Sequence, residues 1–196
     1  FYDNYDREGT KVYLGEWASK GNNVSNALVE AAYLANVERN ADVVVMSSYA
    51  PLLAKEGHTS WNPDLIYFNN TEVKPTANYF TQRAFGQNAG HEYVYSDLTV
   101  NGGQAVEQRL DKSVVIDSAT GDIIIKIVSC ALSVIIVVEV TVVEIPSCRI
   151  VIVLIHYLYV LLLSFAPSIF IVAAFPERSH SAHYRNLWVR LLYALN

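Results

Sequence analysis

An α/β fold built from strand–helix–strand units is predicted for this chain on three observations. Two short apolar runs, Lys11-Val12-Tyr13-Leu14-Gly15-Glu16-Trp17 and Asp42-Val43-Val44-Val45-Met46-Ser47-Ser48-Tyr49, have the length and content of buried parallel strands. Between them Val24, Ala27, Leu28, Ala31, Leu34 and Ala35 recur at helical spacing, with Glu30, Glu38 and Arg39 off that stripe. The first run ends on a single carboxylate, Glu16. The carboxyl end of a strand is where (β/α) barrels present their catalytic groups.

Each element follows from its local residues. Tyr2 to Thr10 is polar and aromatic and reads as a loop or helix end. Gly21, Asn22 and Asn23 break the chain after the first strand and offer a helix cap, and the helix should end near Asn40. Pro51 limits the second strand. Leu52 to Asn70 is a long polar and aromatic loop containing His58, Trp61, Pro63 and Asp64, and loops of this length are usually functional or disordered. Its aromatics Trp61, Tyr67 and Phe68 argue against disorder. Pro75 suits the first turn of a second helix through Ala77, Phe80, Ala84 and Phe85, closing near Gly86 to Gly90. From His91 the period shifts toward two through Tyr93, Tyr95, Leu98 and Val100, up to Gly102-Gly103. A hairpin then pairs Ser113–Ile116 with Ile123–Lys126 across Asp117 to Asp122, with Gly121 in the turn.

At 196 residues the chain holds one large domain or two small ones. A net charge of −5 without a basic stripe argues against nucleic acid as a partner. Cys130 and Cys148 fit neither a disulfide framework nor a zinc site, and read as packing or incidental residues. The opening at Phe1, inside what reads as a loop, is expected of a fragment.

The composition has two regimes. All nine glycines precede residue 122, and from Ala131 to Asn196 there is no Gly, Asp or Lys, the residues from which sheet turns are made. Ile150 to Phe175 contains no Asp, Glu, Lys or Arg and is long enough for a transmembrane helix. Arg149 precedes it and Arg178, Arg185 and Arg190 follow, a bias that would place the C-terminus in the cytoplasm. Ser133 to Ile145 suits a strand better. Three readings of this tail stand: an out-of-frame translation beginning near Cys130, a genuine membrane anchor, and an aberrant sandwich. His180 and His183 lack a third ligand and do not make a metal site.

Several segments together resemble a known family. Asn4-Tyr5-Asp6-Arg7 with Lys11-Val12-Tyr13-Leu14-Gly15-Glu16, then Glu38-Arg39-Asn40-Ala41-Asp42-Val43-Val44, Ser48-Tyr49-Ala50-Pro51-Leu52 and Trp61-Asn62-Pro63-Asp64-Leu65-Ile66-Tyr67-Phe68 are collinear with the α-L-arabinofuranosidases of glycoside hydrolase family 51. The likeness runs from residue 3 to about residue 128, fades after Ser129, and is nearest in flavour to enzymes of gut-type Bacteroidetes. It implies a (β/α)8 barrel followed by a β-sandwich, so that the chain would be a C-terminal fragment. Residues 1–90 would hold the last two β/α units, 91–130 the start of the sandwich and 131–196 the atypical hydrophobic tail. Lys11–Trp17 resembles strand seven, Asp42–Tyr49 strand eight, and Asn78–Gln87 part of the last barrel helix.

The resemblance also implies a chemistry. The family retains anomeric configuration, and its nucleophile, a Glu at the end of strand seven, falls on Glu16. Retaining hydrolysis needs two carboxyls about 5–5.5 Å apart, one ionised to attack and one protonated to release the leaving oxygen. The preceding Gly15 allows close approach, and Trp17 is suited to sugar stacking or to a pocket wall. The acid/base partner should follow an Asn at the end of strand four, upstream of this chain; Glu30 and Glu38 lie on the helix, and Glu56 and Glu72 on loops. Tyr49 would line the pocket or serve structure. Trp61 and His58 would either contact the sugar chain or pack the loop on the barrel rim, and Asp64 and Asn69 would hydrogen-bond within the loop.

The expected parent enzyme releases non-reducing-end α-L-arabinofuranosyl groups from arabinoxylan, arabinan or their oligosaccharides. It needs no metal or organic cofactor, is periplasmic or secreted, and is a candidate homo-oligomer. The alternative is a non-catalytic remnant serving as a membrane-anchored or carbohydrate-binding protein. Geometrically, Glu16 should sit accessibly at the end of a strand parallel to Asp42–Tyr49, with Val12, Leu14, Val43 and Val45 under-covered.

Overall fold

The computed structural model describes residues 2–100, 110–129, 138–141 and 150–156. Two compact units divide the chain, Phe1–Ala89 and Gly90–Asn196.

The first unit is built on a strand–helix–strand motif. Strand β1 (Val12–Trp17) runs parallel to β2 (Val44–Tyr49), and helix α1 (Val24–Arg39) connects them. Asn23 caps α1 as expected, its side chain accepting the Asn26 amide at 3.1 Å, and the helix closes at Asn40. Tyr2, Val43 and Val44 are buried together, with Val12, Leu14, Tyr33 and Val37 packed against them. The expectation of under-covered strands therefore holds only in part. Val43 is fully enclosed beneath the helix, whereas Val45 and Met46 on β2 are 59% and 58% exposed.

A polar tether joins the start of this unit to the end of α1. Arg39 donates to both carboxylate oxygens of Asp3, and the buried Asn40 donates to Asp3 Oδ1 and accepts from Arg7. Arg7 in turn bonds Asp42 at 2.8 Å. These bonds pin the opening turn (Tyr2–Asn4) over the core at Tyr2.

The segment expected to be one long loop, Leu52 to Asn70, contains structure that the periodicity concealed. Strands β3 (Leu53–Lys55) and β4 (Ile66–Phe68) pair in parallel, and β4 pairs antiparallel with β5 (Val73–Pro75). Each is three residues long, too short for an alternation to show. Pro75 closes β5 instead of opening the helix. Thr76 is the cap, and α2 (Ala77–Gly86) starts one residue later. Helices α1 and α2 are joined by Thr81, whose hydroxyl donates to the Ala27 carbonyl at 3.1 Å.

The second unit is sheet. Strands β8 (Leu110–Asp117) and β9 (Asp122–Ser129) form the expected hairpin, longer at both ends, with Gly121 at φ 75° in its turn. Short β6 (Glu92–Tyr93) pairs with β8, β7 (Asp97–Val100) pairs antiparallel with β10 (Val138–Thr141), and β11 (Ile150–His156) pairs in parallel with β9. Every residue of β9 is buried, Lys126 included, because it lies between β8 and β11. Residues 150–156 are thus a strand, which corrects the reading of Ile150 as the start of a membrane-spanning helix. Among the described residues no helix is long and apolar enough to cross a membrane. The remainder of that run, His180 and His183, and both cysteines lie outside the described residues.

Two predictions follow from these contacts. Gly90 has φ 66°, and a Cβ there would sit 2.6 Å from Val115 Cγ2 and 3.0 Å from the Ile116 carbonyl oxygen. Gly90→Ala should destabilise the second unit by roughly 2–3 kcal/mol, read by urea denaturation, since it meets both backbone strain and overpacking. The Asp3 carboxyl is held below its ordinary value by hydrogen bonds from Arg39 and Asn40. A depressed carboxylate stabilises the fold above its unfolded pKa and loses that contribution as pH falls through its folded one. Asp3→Asn should therefore lower the melting temperature at neutral pH, and the gap to the unsubstituted chain should close as pH drops below the ordinary carboxylate range.

Candidate functional site

Glu16 lies at the carboxyl end of β1, exposed, on a strand parallel and adjacent to β2. The way it is exposed is not that of a regular strand. Leu14 pairs with Ser47 and Trp17 with Tyr49, so Gly15 and Glu16 together oppose Ser48 alone. That two-against-one register is a β-bulge, a device that bends a strand and re-aims a side chain.

The consequence is visible in the burial along the strand. Val12 and Leu14 point toward the core with Tyr33 and Val37 of α1, and Trp17 points to the same side, its ring 4.9 Å from that of Tyr33. In an unbroken strand residues 14 and 16 share a face and 17 takes the other. The extra residue lets 12, 14 and 17 all face the helix and leaves Tyr13, Gly15 and Glu16 outward. Gly15 at the bulge has only the Tyr13 ring near its missing Cβ, at 3.6 Å.

Behind the bulge a polar cluster is sealed between strand ends and helices. Glu30, on α1, is 1% exposed. Its Oε1 accepts from the Ser19 backbone amide at 3.0 Å, the Ser19 hydroxyl at 2.8 Å, the Tyr49 hydroxyl at 3.0 Å and Asn78 Nδ2 at 2.6 Å. Gln82 Nε2 reaches Oε2 at 3.4 Å. All five donors are neutral groups. Burial, then the charge and hydrogen bond of Glu30, push the Tyr49 phenol well above the usual tyrosine range, so Tyr49 stays protonated and is the donor. Asn78 also bonds the Gly21 carbonyl at 3.0 Å, which closes the start of the turn leading into α1.

The aromatic candidates separate clearly. The Trp17 ring is packed against Tyr33 and, at 5.7 Å, Tyr49, and its Nε1 is enclosed, so it forms a wall and not an open stacking surface. Tyr49 turns its hydroxyl inward to Glu30. Trp61 is 71% exposed and does not pack the loop down. Its backbone is held at both ends by the Thr59 hydroxyl, itself bonded to the buried Asp64, while the Tyr67 hydroxyl accepts from the Asp64 amide and donates to Asn62. A braced turn therefore presents the Trp61 indole to solvent. His58 is exposed in the turn after β3. Asn69 bonds within its own segment, capping Thr71 and Glu72 and donating to Glu56.

Glu30 is the residue that the helical pattern misassigned. It sits off the apolar stripe, yet α2 covers it, and only α2 at residues 77–86 supplies Asn78 and Gln82 to meet it. Among the described residues no group of three or more His, Cys, Asp or Glu is arranged to hold a metal.

Comparison with known proteins places this arrangement. Residues 12–148 match the family model described as the alpha-L-arabinofuranosidase C-terminal domain. The chain is 53% identical over 98 residues to an extracellular exo-alpha-L-arabinofuranosidase of Streptomyces chartreusis, covering 50% of this chain and 12% of that protein. It is 36% identical over 105 residues to alpha-L-arabinofuranosidase 1 of Arabidopsis thaliana, covering 51% of this chain and 16% of that one. A solved arabinose-bound α-L-arabinofuranosidase of glycoside hydrolase family 51 superposes with a TM-score of 0.60 at 33% identity, covering 67% of this chain and 23% of that structure. The chain belongs to the α-L-arabinofuranosidases of glycoside hydrolase family 51. It spans about an eighth of the length of the Streptomyces relative. The family match continues to Cys148, past Ser129, where the residue-by-residue likeness fades.

The cluster generates its own prediction. Glu30→Ala strands the Ser19, Tyr49 and Asn78 donors in a dry site and should cost on the order of 3 kcal/mol, measured by chemical denaturation of the chain.

Proposed function

We propose that this chain is the part of a retaining α-L-arabinofuranosidase that carries the nucleophile, Glu16. The observation that carries the reading is the outward-turned carboxylate at the carboxyl end of β1, beside the parallel β2 and opposite the helix-covered face. In a (β/α) barrel that position and that side are where reacting groups stand. On this reading β1, α1, β2 and α2 are the last two β/α units of a (β/α)8 barrel within residues 1–90. Residues 91–130 begin a β-sandwich, and 131–196 continue as the hydrophobic tail.

The chemistry is a double displacement. The Glu16 carboxylate attacks the anomeric carbon as the glycosidic C–O bond breaks, and a general acid elsewhere in the parent protein gives its proton to the leaving oxygen. Water then attacks the glycosyl-enzyme, passes a proton to that same group, and frees arabinose and the Glu16 carboxylate. The substrates are arabinoxylan, arabinan or oligosaccharides bearing non-reducing-end α-L-arabinofuranosyl groups. Trp61 is placed to meet the sugar chain beyond the scissile bond, and Trp17 and Tyr49 support the pocket from behind. No metal or organic cofactor is required by this mechanism.

Two measurements test the reading. Purified chain should show no turnover of 4-nitrophenyl α-L-arabinofuranoside, because the proton donor lies outside it; turnover abolished by Glu16→Gln would place the acid/base residue within these residues instead. In the full-length protein containing this segment, Glu16→Ala should reduce turnover by ~10^4-fold. Azide should then restore release of nitrophenol and give the glycosyl azide of inverted configuration. An azide product of retained configuration would make Glu16 the acid/base residue and overturn its role as nucleophile.

A further inference from the structure

The bulge that aims Glu16 outward is a local distortion, and something must hold it. Its upstream side is held by the ladder, where Tyr13 and Leu14 pair with Met46 and Ser47 and the Tyr13 hydroxyl bonds Ser48 at 3.0 Å. Downstream, the Trp17 carbonyl accepts the Ala50 amide at 3.3 Å, a long bond, and β1 ends. The residues after it, Ala18 to Asn23, have no strand or helix of their own.

What fixes this side is Glu30. The carboxylate accepts both the amide and the hydroxyl of Ser19, three residues beyond Glu16, and through the Tyr49 hydroxyl it holds the ring against which Trp17 packs. Asn78 ties the same oxygen to Gly21. One buried side chain thus anchors the strand end from both directions, through the covalent run Glu16–Ser19 and through the Trp17–Tyr49 pair. We infer that Glu30 is a positioning residue for Glu16, acting through Ser19 and Tyr49 to hold the bulge and hence the direction of the attacking carboxylate. This rests on the reading of Glu16 as nucleophile. Glu30 itself is sealed behind Trp17 and Tyr49 and takes no part in the bond changes.

A stability role alone and a positioning role predict different kinetics. A nucleophile displaced by a fraction of an ångström loses rate in the chemical step while the ground-state contacts to sugar persist. The test uses the full-length protein containing this segment, with Ser19→Ala, Tyr49→Phe, their double variant and Glu30→Gln assayed well below each melting temperature. Ser19→Ala and Tyr49→Phe leave all other donors in place, so they remain informative if Glu30→Gln does not fold.

The expected result is a fall in kcat of roughly 10-fold for each single variant with KM within twofold of the parent value. The double variant should lose less than the product of the two, because both act through one carboxylate. Unchanged kcat in folded Ser19→Ala and Tyr49→Phe, with only a lower melting temperature, would overturn the proposal. So would full multiplicativity, which would make the two residues independent. The Glu16→Ala azide experiment reports on the nucleophile separately. If azide yields the inverted product while Ser19→Ala and Tyr49→Phe keep full kcat, the positioning role alone fails. If azide yields the retained product, the nucleophile reading fails with it.

Discussion

The first unit depends on a single acceptor, Glu30 Oε1. Four hydrogen bonds converge on it from three separate places in the sequence: the turn after β1, the end of β2 and the first turns of α2. One carboxyl oxygen offers about two lone-pair sites, so these four donors share them. The cost of enclosing this polar group is offset by the number of these bonds, the Asn78 contact being 2.6 Å. Hydrophobic contacts between α1 and the strands would set the layer but not the azimuth of the strand ends. The polar cluster does that, because hydrogen bonds are directional and apolar packing is not.

This division explains why the two faces of β1 differ so sharply. The helix side carries Val12, Leu14 and Trp17, and the opposite side carries Tyr13, Gly15 and Glu16. The bulge makes those sets possible, and the anchored turn beyond it keeps Trp17 from swinging back into regular alternation. Were the strand regular, Glu16 would fall on the side of Leu14, against Tyr33 and Val37. A carboxylate there would be enclosed by apolar groups.

Much of this was legible in the residues. The two strands, the α1 cap at Asn23, the hairpin around Gly121 and the parallel relation of β1 to β2 all follow from runs long enough to show a period. Three features did not. The strands β3 to β5 are three residues each and leave no alternation to read. Pro75 resembles a helix opener, yet Thr76 accepts the Tyr79 amide and so takes the capping position, leaving the proline in a strand. Glu30 is the instructive miss. Its burial is created by Asn78 and Gln82, some fifty residues away, and a charged residue off an apolar stripe looks solvated until its distant partners are known. For the same reason the full burial of Lys126 escapes a hairpin reading, since β11 covers β9 from beyond residue 149.

The proposed site is legible in the sequence as a residue but not as a geometry. A Gly-Glu-Trp strand end marks Glu16, yet nothing in the three letters distinguishes a carboxylate facing a helix from one facing the open side of a sheet. That distinction comes from counting paired residues across β1 and β2, where two oppose one. Trp17 and Trp61 show the same limit from the opposite direction. Both are aromatic residues that suit a sugar-binding surface, but one is drawn inward by Tyr33 and Tyr49 while the other is held out on a loop braced by Thr59 and Asp64. What separates them is whether the neighbouring backbone is anchored to the core behind the ring or to its own loop beneath it. A tryptophan in the first situation can shape a pocket only through what it supports, and one in the second can meet a ligand directly.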